Sequence, residues 1–388
     1  MRELQEGADR RLRAWRGRAA GGAALAAQPW HAARERLRAA EERTRLPIAN
    51  VLVLVVALSL PFWPVIDSRW LRILVLVGIF VVLGLGLNIV VGYAGLLDLG
   101  FVAFFATGAY TYAILSSPAS PALQADLNWW LAIPVVLAVG SVVGVLLGLP
   151  VLPLRGDYLA IVTLGFGEIV RILLLNVVGL TNGAQGLFNI PRPEFAGWVL
   201  EALDHWYWVL VLASFILAFA VGRMRASRMG RAWEAIREDE DVAAGMGVNT
   251  VKYKLLAFAM GAAIGAFGGL VFAGFFTFVN PSSFTLLVSI NVLSIVVIGG
   301  MGSTPGVVLG ALILIGLPEV LQFDETSRLL SLFNPIVPFA DTSLWGRQLA
   351  SARFIVFGLM LVAVMALRPQ GIFAAARPQV RLPRASGR

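Results

Sequence analysis

Few residues in this chain could do chemistry, and their types rule out most of it. There is no Cys, and the two His residues, His31 and His205, lie outside the apolar segments. Disulfides and thiolate metal sites are therefore absent, and metal or nucleophilic catalysis lacks its usual side chains. Carboxylates and arginines remain. Glu168 and Arg171 stand three apart inside an apolar stretch, hence on one helical face where each can neutralise the other. An unpaired charge at that depth costs about 2.5–3.5 kcal/mol on insertion scales, so the pair is expected to face the interior of a helix bundle. It would either brace helices or act in gating and solute passage. Asp98, within GYAGLLDLGFVAFFATGAY, is open to the same two readings. The third group is a charged island from Arg223 to Lys254, with Arg237-Glu238-Asp239-Glu240-Asp241 at its centre. The sequence carries no GxxxxGK[ST], and its only lysines, Lys252 and Lys254, follow no glycine-rich loop. A chain without that cradle does not hydrolyse ATP itself.

These groups must be positioned by elements that are overwhelmingly apolar. Of 388 residues, 58% are hydrophobic and 14% charged, against roughly 25% charged in soluble domains. With a mean hydropathy of +0.80, the composition is that of a polytopic, all-α membrane protein. Crossing ~30 Å of hydrocarbon takes ~20 residues. About ten runs qualify: Ile48–Ile66, Leu71–Val91, Leu96–Ser116, Trp129–Leu152, Tyr158–Val178, Trp206–Gly222, Leu255–Val279, Phe284–Gly300, Ser303–Gln322 and Phe354–Leu367. The third and the pair flanking Gly300 are the ones that short or broken helices would imitate. An even count places both termini on one side. Eleven arginines before Leu46, five from Arg223 to Arg237 and five from Arg368 onward share that side, against six on the other, which makes it the cytoplasmic one. The net charge of +8 thus sits at span ends, where it sets orientation and meets anionic lipid rather than nucleic acid. Three regions follow: an Arg/Ala-rich cytoplasmic extension (1–46), a membrane domain (47–373) holding the island (223–254), and a basic tail (374–388). The extension reads as a surface-lying helix; Arg10-Arg11 has no apolar region behind it until Ile48, so it is not a twin-arginine signal.

The island is helical in propensity from Arg231 to Ala244 and is stopped by Gly245 and Gly247. Such a capped, charged helix between two spans is expected to dock a soluble partner, the alternative being a solvated loop. Gly261, Gly265 and Gly269 recur every four residues and mark a face for close helix packing. Gly92, Gly95 and Gly100 form a second small-residue region, which either packs or lets backbone line a solute path. The segments 176–206 and 323–351 are long for connections and stiffened by Pro191, Pro193, Pro335 and Pro338. They are expected on the external face, where Arg192, Glu194, Arg328 and Arg347 offer ionic complementarity to a soluble protein.

Five separated motifs then carry a resemblance. LRGDYLAIVTLGFGEIVRILLLN with the following LTNGAQG and NIP, GRAWEAIREDEDVAAGMGV, PSSFT, IVVIGGMGS and RPQGIF together resemble the LivM-type inner-membrane permeases of the high-affinity branched-chain amino acid importer, over about Ile48–Phe373. The resemblance implies an ATP-binding-cassette machine. Its partners would be a second, LivH-type permease, two cytoplasmic ATPases that bind the ATP, and a periplasmic protein delivering leucine, isoleucine or valine; the chain itself would hold no cofactor. It also implies that the island is the coupling helix on which an ATPase docks, through Gly230, Trp233, Glu234, Ala235, Ile236, Arg237, Glu238, Asp239, Ala243, Gly245 and Gly247. Ala235, Ile236 and Ala243 would pack against the ATPase, and Arg237, Glu238 and Asp239 would fix the register. Differences from the family pattern at 182–186 and at Leu97-Asp98 leave urea, amides or other amino acids as alternative solutes. A different class of machine, an ion-coupled carrier working alone, would use Asp98 and Glu168 as cation or proton sites.

Overall fold

A helix that is apolar on every side has no wet face and belongs in the middle of a bundle. The segment from Ile73 to Leu87 is of that kind. A computed structural model of the chain describes residues 48–63, 66–123, 125–195, 198–320 and 371–373, with isolated positions at 358, 359, 362 and 366. Two compact units result, residues 1–63 and 64–388. In the first, helix α1 (Ile48–Ser59) passes into a single 3-10 turn, Leu60–Phe62, at Pro61. Proline's missing N–H and fixed φ end a helix in this way.

In the second unit, α2 (Ser68–Leu87) runs without interruption into a π-helical stretch, Asn88–Tyr93, and every residue from Val81 to Ala94 is buried. There the chain leaves helix. Ala94 to Phe101 is irregular, opened by Gly95 with φ +73, and α3 starts only at Val102 and ends at Ser116. The expected span Leu96–Ser116 is therefore a shorter helix preceded by a buried loop. Next come α4 (Trp129–Val151), capped by the Asn128 side chain, and α5 (Asp157–Asn176). A long excursion leads to α6 (Leu203–Arg225), the two island helices described below, and α9 (Thr250–Phe276).

Helix α9 is the hub, packed against α4, α3 and α2. Its small residues explain how. A Cβ on Gly269 would lie 2.1 Å from the Phe105 carbonyl oxygen, and one on Gly261 2.5 Å from Val90. From the facing helices, a Cβ on Gly108 would lie 1.9 Å from the Ala266 oxygen. Backbones in contact replace the hydrophobic drive that lipid cannot supply. Beyond it, α10 (Leu286–Gly299) turns through Gly300–Ser303 into α11 (Thr304–Ala311), which continues as a π stretch, Leu312–Gly316, and a last turn to Val320.

Six helices of the described residues are long and apolar enough to cross a membrane: Ser68–Tyr93, Trp129–Val151, Asp157–Asn176, Leu203–Arg225, Thr250–Phe276 and Pro281–Gly299. Val53–Phe62, Val102–Ser116 and Thr304–Glu319 are apolar but shorter. Phe354–Leu367, the tenth expected span, lies outside the described residues except at isolated positions, as do Arg328 and Arg347. The excursion before α6 is ordered by two short antiparallel ladders: Leu187–Phe188 pairs with Phe278–Val279, and Glu194–Phe195 with Trp198–Val199. Tyr112 Oη donates to the Pro191 carbonyl and Ser117 Oγ to that of Phe188, so the stiffened loop is tied down to α3. Glu194 and Arg192 are both exposed there, and the Glu194 carbonyl accepts from the Trp130 indole.

Candidate coupling site

The expected single helix of the island is two helices. Ser227 caps α7 (Arg228–Glu238) by accepting from Met229 N at 3.2 Å. At Asp239 the backbone turns extended (φ −159), and its carboxylate accepts from Asp241 N (2.9 Å) and Val242 N (3.0 Å) to start α8 (Glu240–Gly245). Asp competes well for exposed N–H groups, so it prefers a cap to a helix interior. The stop is Gly247 alone. It takes φ +86 while its N–H meets the Ala244 carbonyl, and Val248 N meets that of Ala243, the two crossed bonds of a Schellman cap. Gly245 has ordinary helical backbone and open space where a side chain would be.

The two helices bury one face on their own chain. Trp233 is fully buried, its indole donating to the Tyr253 carbonyl at 2.8 Å, and Ile236 and Ala243 are buried beside it. This corrects the expectation that Ile236 and Ala243 pack against a partner: Ile236 shares the buried face of α7 with Ala232 and Trp233, and the turn at Asp239 brings Ala243 of α8 inward as well. The side chains left outside were not singled out from the sequence. Val242 and Met246, one turn apart, are 61% and 82% exposed, beside exposed Glu238 and Gly245. The charges are also largely spoken for. Arg155, in the connection between α4 and α5, binds Asp241 through both terminal nitrogens (3.0 and 2.8 Å) and approaches Glu240 at 3.4 Å. That hydrogen bond holds the Asp241 carboxyl below its ordinary pKa. Buried Lys254 reaches Glu240 at 2.5 Å.

The inward charges lead to the irregular stretch after α2. Arg237 donates to the Gly92 carbonyl, so it is committed within the chain rather than free to set a partner's register. Its stem covers Gly95 so closely that a Cβ there would lie 2.7 Å from Arg237 Cγ. Arg225, at the end of α6, joins three parts: Glu234 at 3.1 Å, the Gly302 carbonyl at 3.1 Å, and the Tyr93 ring, whose centroid is 5.6 Å away. The close approach of α6 and α7 that allows this depends on Gly230, where a Cβ would sit 2.0 Å from the Arg225 carbonyl oxygen. Gly302 N in turn donates to Asn88 Oδ1 at 2.8 Å. The island, the π-helical end of α2 and the turn between α10 and α11 thus form one connected knot.

Past the knot the irregular stretch goes inward. Asp98 is completely buried and accepts from Gly100 N at 2.8 Å. Leu99 N donates to Thr163 Oγ1 on α5, and Val102 N to Ser289 Oγ on α10. Gly100 lets α5 close on it, since a Cβ there would be 2.1 Å from the Thr163 carbonyl oxygen. Glu168 and Arg171 do pair, Arg171 Nε lying 3.0 Å from both carboxylate oxygens. They do not face the bundle interior as expected. Leu159, Ala160, Thr163 and Gly167 form the inner face of α5, leaving the Glu168 side chain 45% and that of Arg171 28% exposed. Among the described residues no His, Asp and Glu cluster could hold a metal ion.

A helical bundle in which six of the described helices are long and apolar enough to cross a membrane is a polytopic membrane protein by class. The family described as branched-chain amino acid transport system / permease component matches residues 69–365, and this chain belongs to it. It is 39% identical to the high-affinity branched-chain amino acid transport system permease protein LivM of Escherichia coli, across 88% of this chain and 77% of that one. It is 25% identical to the probable LivM of Methanocaldococcus jannaschii, across 77% of this chain and 92% of the relative. It is also 29% identical to the LivH permease of Escherichia coli, across 54% of this chain and 62% of the relative. No solved structure matches.

Proposed function

We propose that this chain is the LivM-type half of a permease pair that carries leucine, isoleucine or valine into the cell, in an importer powered by two partner ATPases and supplied by a periplasmic binding protein. The observation that carries the reading is the elbow of α7 and α8, whose inner face is fixed to the helix ends and whose outer face presents Val242 and Met246. ATP is bound by the partners; this chain supplies the docking helix. Displacing α7 would pull the Gly92 carbonyl through Arg237 and the Gly302 turn through Arg225, so two breaks in the helical bundle respond together. Gly92, Gly95, Asp98 and Gly100 then lie on or beside the path whose access changes, and Glu168 and Arg171 act with them.

The charge distribution supports cytoplasmic termini and a cytoplasmic island in about ten spans of a bacterial inner membrane, with the basic extension (1–46) and tail (374–388) on the same side. Arg192 and Glu194, and Arg328 and Arg347 outside the described residues, then serve the external platform for the binding protein. The test is uptake of labelled leucine by the complex reconstituted with its second permease, ATPases and binding protein. Leucine should accumulate only with ATP, and unlabelled isoleucine and valine should compete while urea and amides should not. Competition by urea or amides with no effect of isoleucine and valine would move the substrate assignment. Uptake by this chain alone in vesicles with an ion gradient would overturn the machine.

A further inference from the structure

The ion pair of α5 points outward from this chain, partway along a helix long and apolar enough to cross a membrane. Counting 1.5 Å per residue, Glu168 and Arg171 lie about 16 and 21 Å along a helix about 30 Å long. Charged side chains inside membrane spans almost always face protein or water rather than lipid. Yet both are partly exposed, on a face that also shows Ile161 and Ile172. On the same face Gly165 has nothing within 4 Å of where its Cβ would stand. Helix α6 is a useful contrast. Its exposed positions in mid-helix, Leu212, Ile216 and Phe219, are all apolar and need only lipid.

We propose that the outer face of α5, centred on Gly165, Glu168 and Ile172, is the seam against the second permease, and that this partner covers the Glu168–Arg171 pair. The proposal rests on the permease-pair reading and names where the two chains meet. The occupant follows from the comparisons: this chain is similar to both LivM and LivH permeases, so a LivH-type partner is a homologue of this chain. Two homologous chains join most simply about a near-twofold axis, with equivalent surfaces opposed. The missing side chain at Gly165 permits the close backbone approach on which helix association in lipid depends. A neutral but polar pair beside it then finds polar backbone and side chains across the seam.

The absence of cysteine makes the test direct. Single cysteines at Ile161, Gly165 and Ile172, and at Leu212 and Ile216 on α6 as controls, are introduced into the full complex and fitted with a short photoactivated thiol reagent in native membranes. The α5 positions should give a covalent product with the combined mass of the two permeases, at several times the yield of the α6 positions. Ile161 and Ile172 keep the test valid if the Gly165 variant fails to assemble. A product of twice this chain's mass would overturn the choice of partner. Products from α6 with none from α5, or adducts of α5 with lipid only, would overturn the seam while a co-purifying second permease leaves the pair reading standing. Failure of any second permease to co-purify with the unmodified chain would overturn that reading as well.

Discussion

Single side chains in this protein act by the carbonyls they reach. Arg237 is mostly at the surface, and only its hydrogen bond shows that it belongs to the helix break at Gly92. A charged hydrogen bond of this kind is worth about 1.5–3 kcal/mol. Arg237→Ala should therefore lower coupled uptake by about tenfold or more while leaving membrane yield near normal, taking ~1.4 kcal/mol per decade. Gly95→Ala strikes the same joint from the other side, through a strained positive φ and a clash with the Arg237 stem. Transport assays on the reconstituted complex check both; unchanged uptake in Arg237→Ala would remove it from the joint. For the α5 pair, Glu168→Gln and Arg171→Gln should each reduce membrane yield more than the double variant does, because each single change strands a charge within the bilayer. Additive losses, read by quantitative blotting, would show that the pairing does not matter. The pair itself was legible at i and i+3, but its outward direction was not. Direction depends on Thr163 and Gly167 being claimed by the stretch around Gly100, and no local pattern in α5 announces that.

At the level of elements, the long apolar runs were readable because length and composition alone decide whether a helix can cross lipid. Leu96–Ser116 misled for an instructive reason: its first residues are mostly apolar, as a span requires, yet Gly95 and the bond from Leu99 to Thr163 hold them outside any helix. The island shows the same limit. Helix propensity runs through Asp239, and only the habit of Asp to cap rather than continue hinted at two helices. Nothing in a row of charged residues told which side would be covered, so Val242 and Met246 passed unnoticed beside Ile236 and Ala243. Their exposure gives an element-scale prediction. Val242→Glu with Met246→Glu should abolish co-purification of the ATPases, since a few apolar contacts dominate helix-in-groove docking. Yield of the permease should not fall, because neither side chain touches its core. Ile236→Glu should do the opposite and lower the yield itself. Pull-down and membrane yield measured together separate the two outcomes.

On the scale of the whole molecule, one connected knot gathers the ends of α2, α6, α7 and α10, and the π-helical stretch Asn88–Tyr93 lies at its heart. A π-helical stretch is most simply an α-helix that has absorbed one additional residue, and such insertions concentrate at functional positions. That gives the chain a peculiar sensitivity to length. Deleting Val90 would let the helix close as α with good bonds throughout, at the loss of one buried valine beside Gly261. Everything downstream would then be rotated by about 100° and drawn back about 1.5 Å. The Gly92 carbonyl would face away from Arg237, and Asp98 would leave its place under Thr163. The deletion should thus lower membrane yield in part and leave an inserted protein that binds its ATPases yet does not import, measurable as ATP hydrolysis without leucine uptake. A hydrophobicity profile would not distinguish it from the parent. In evolutionary terms, apolar substitutions at Ile89, Val90 and Val91 are small steps, whereas a change of one in the count of Asn88–Tyr93 is a change of machine.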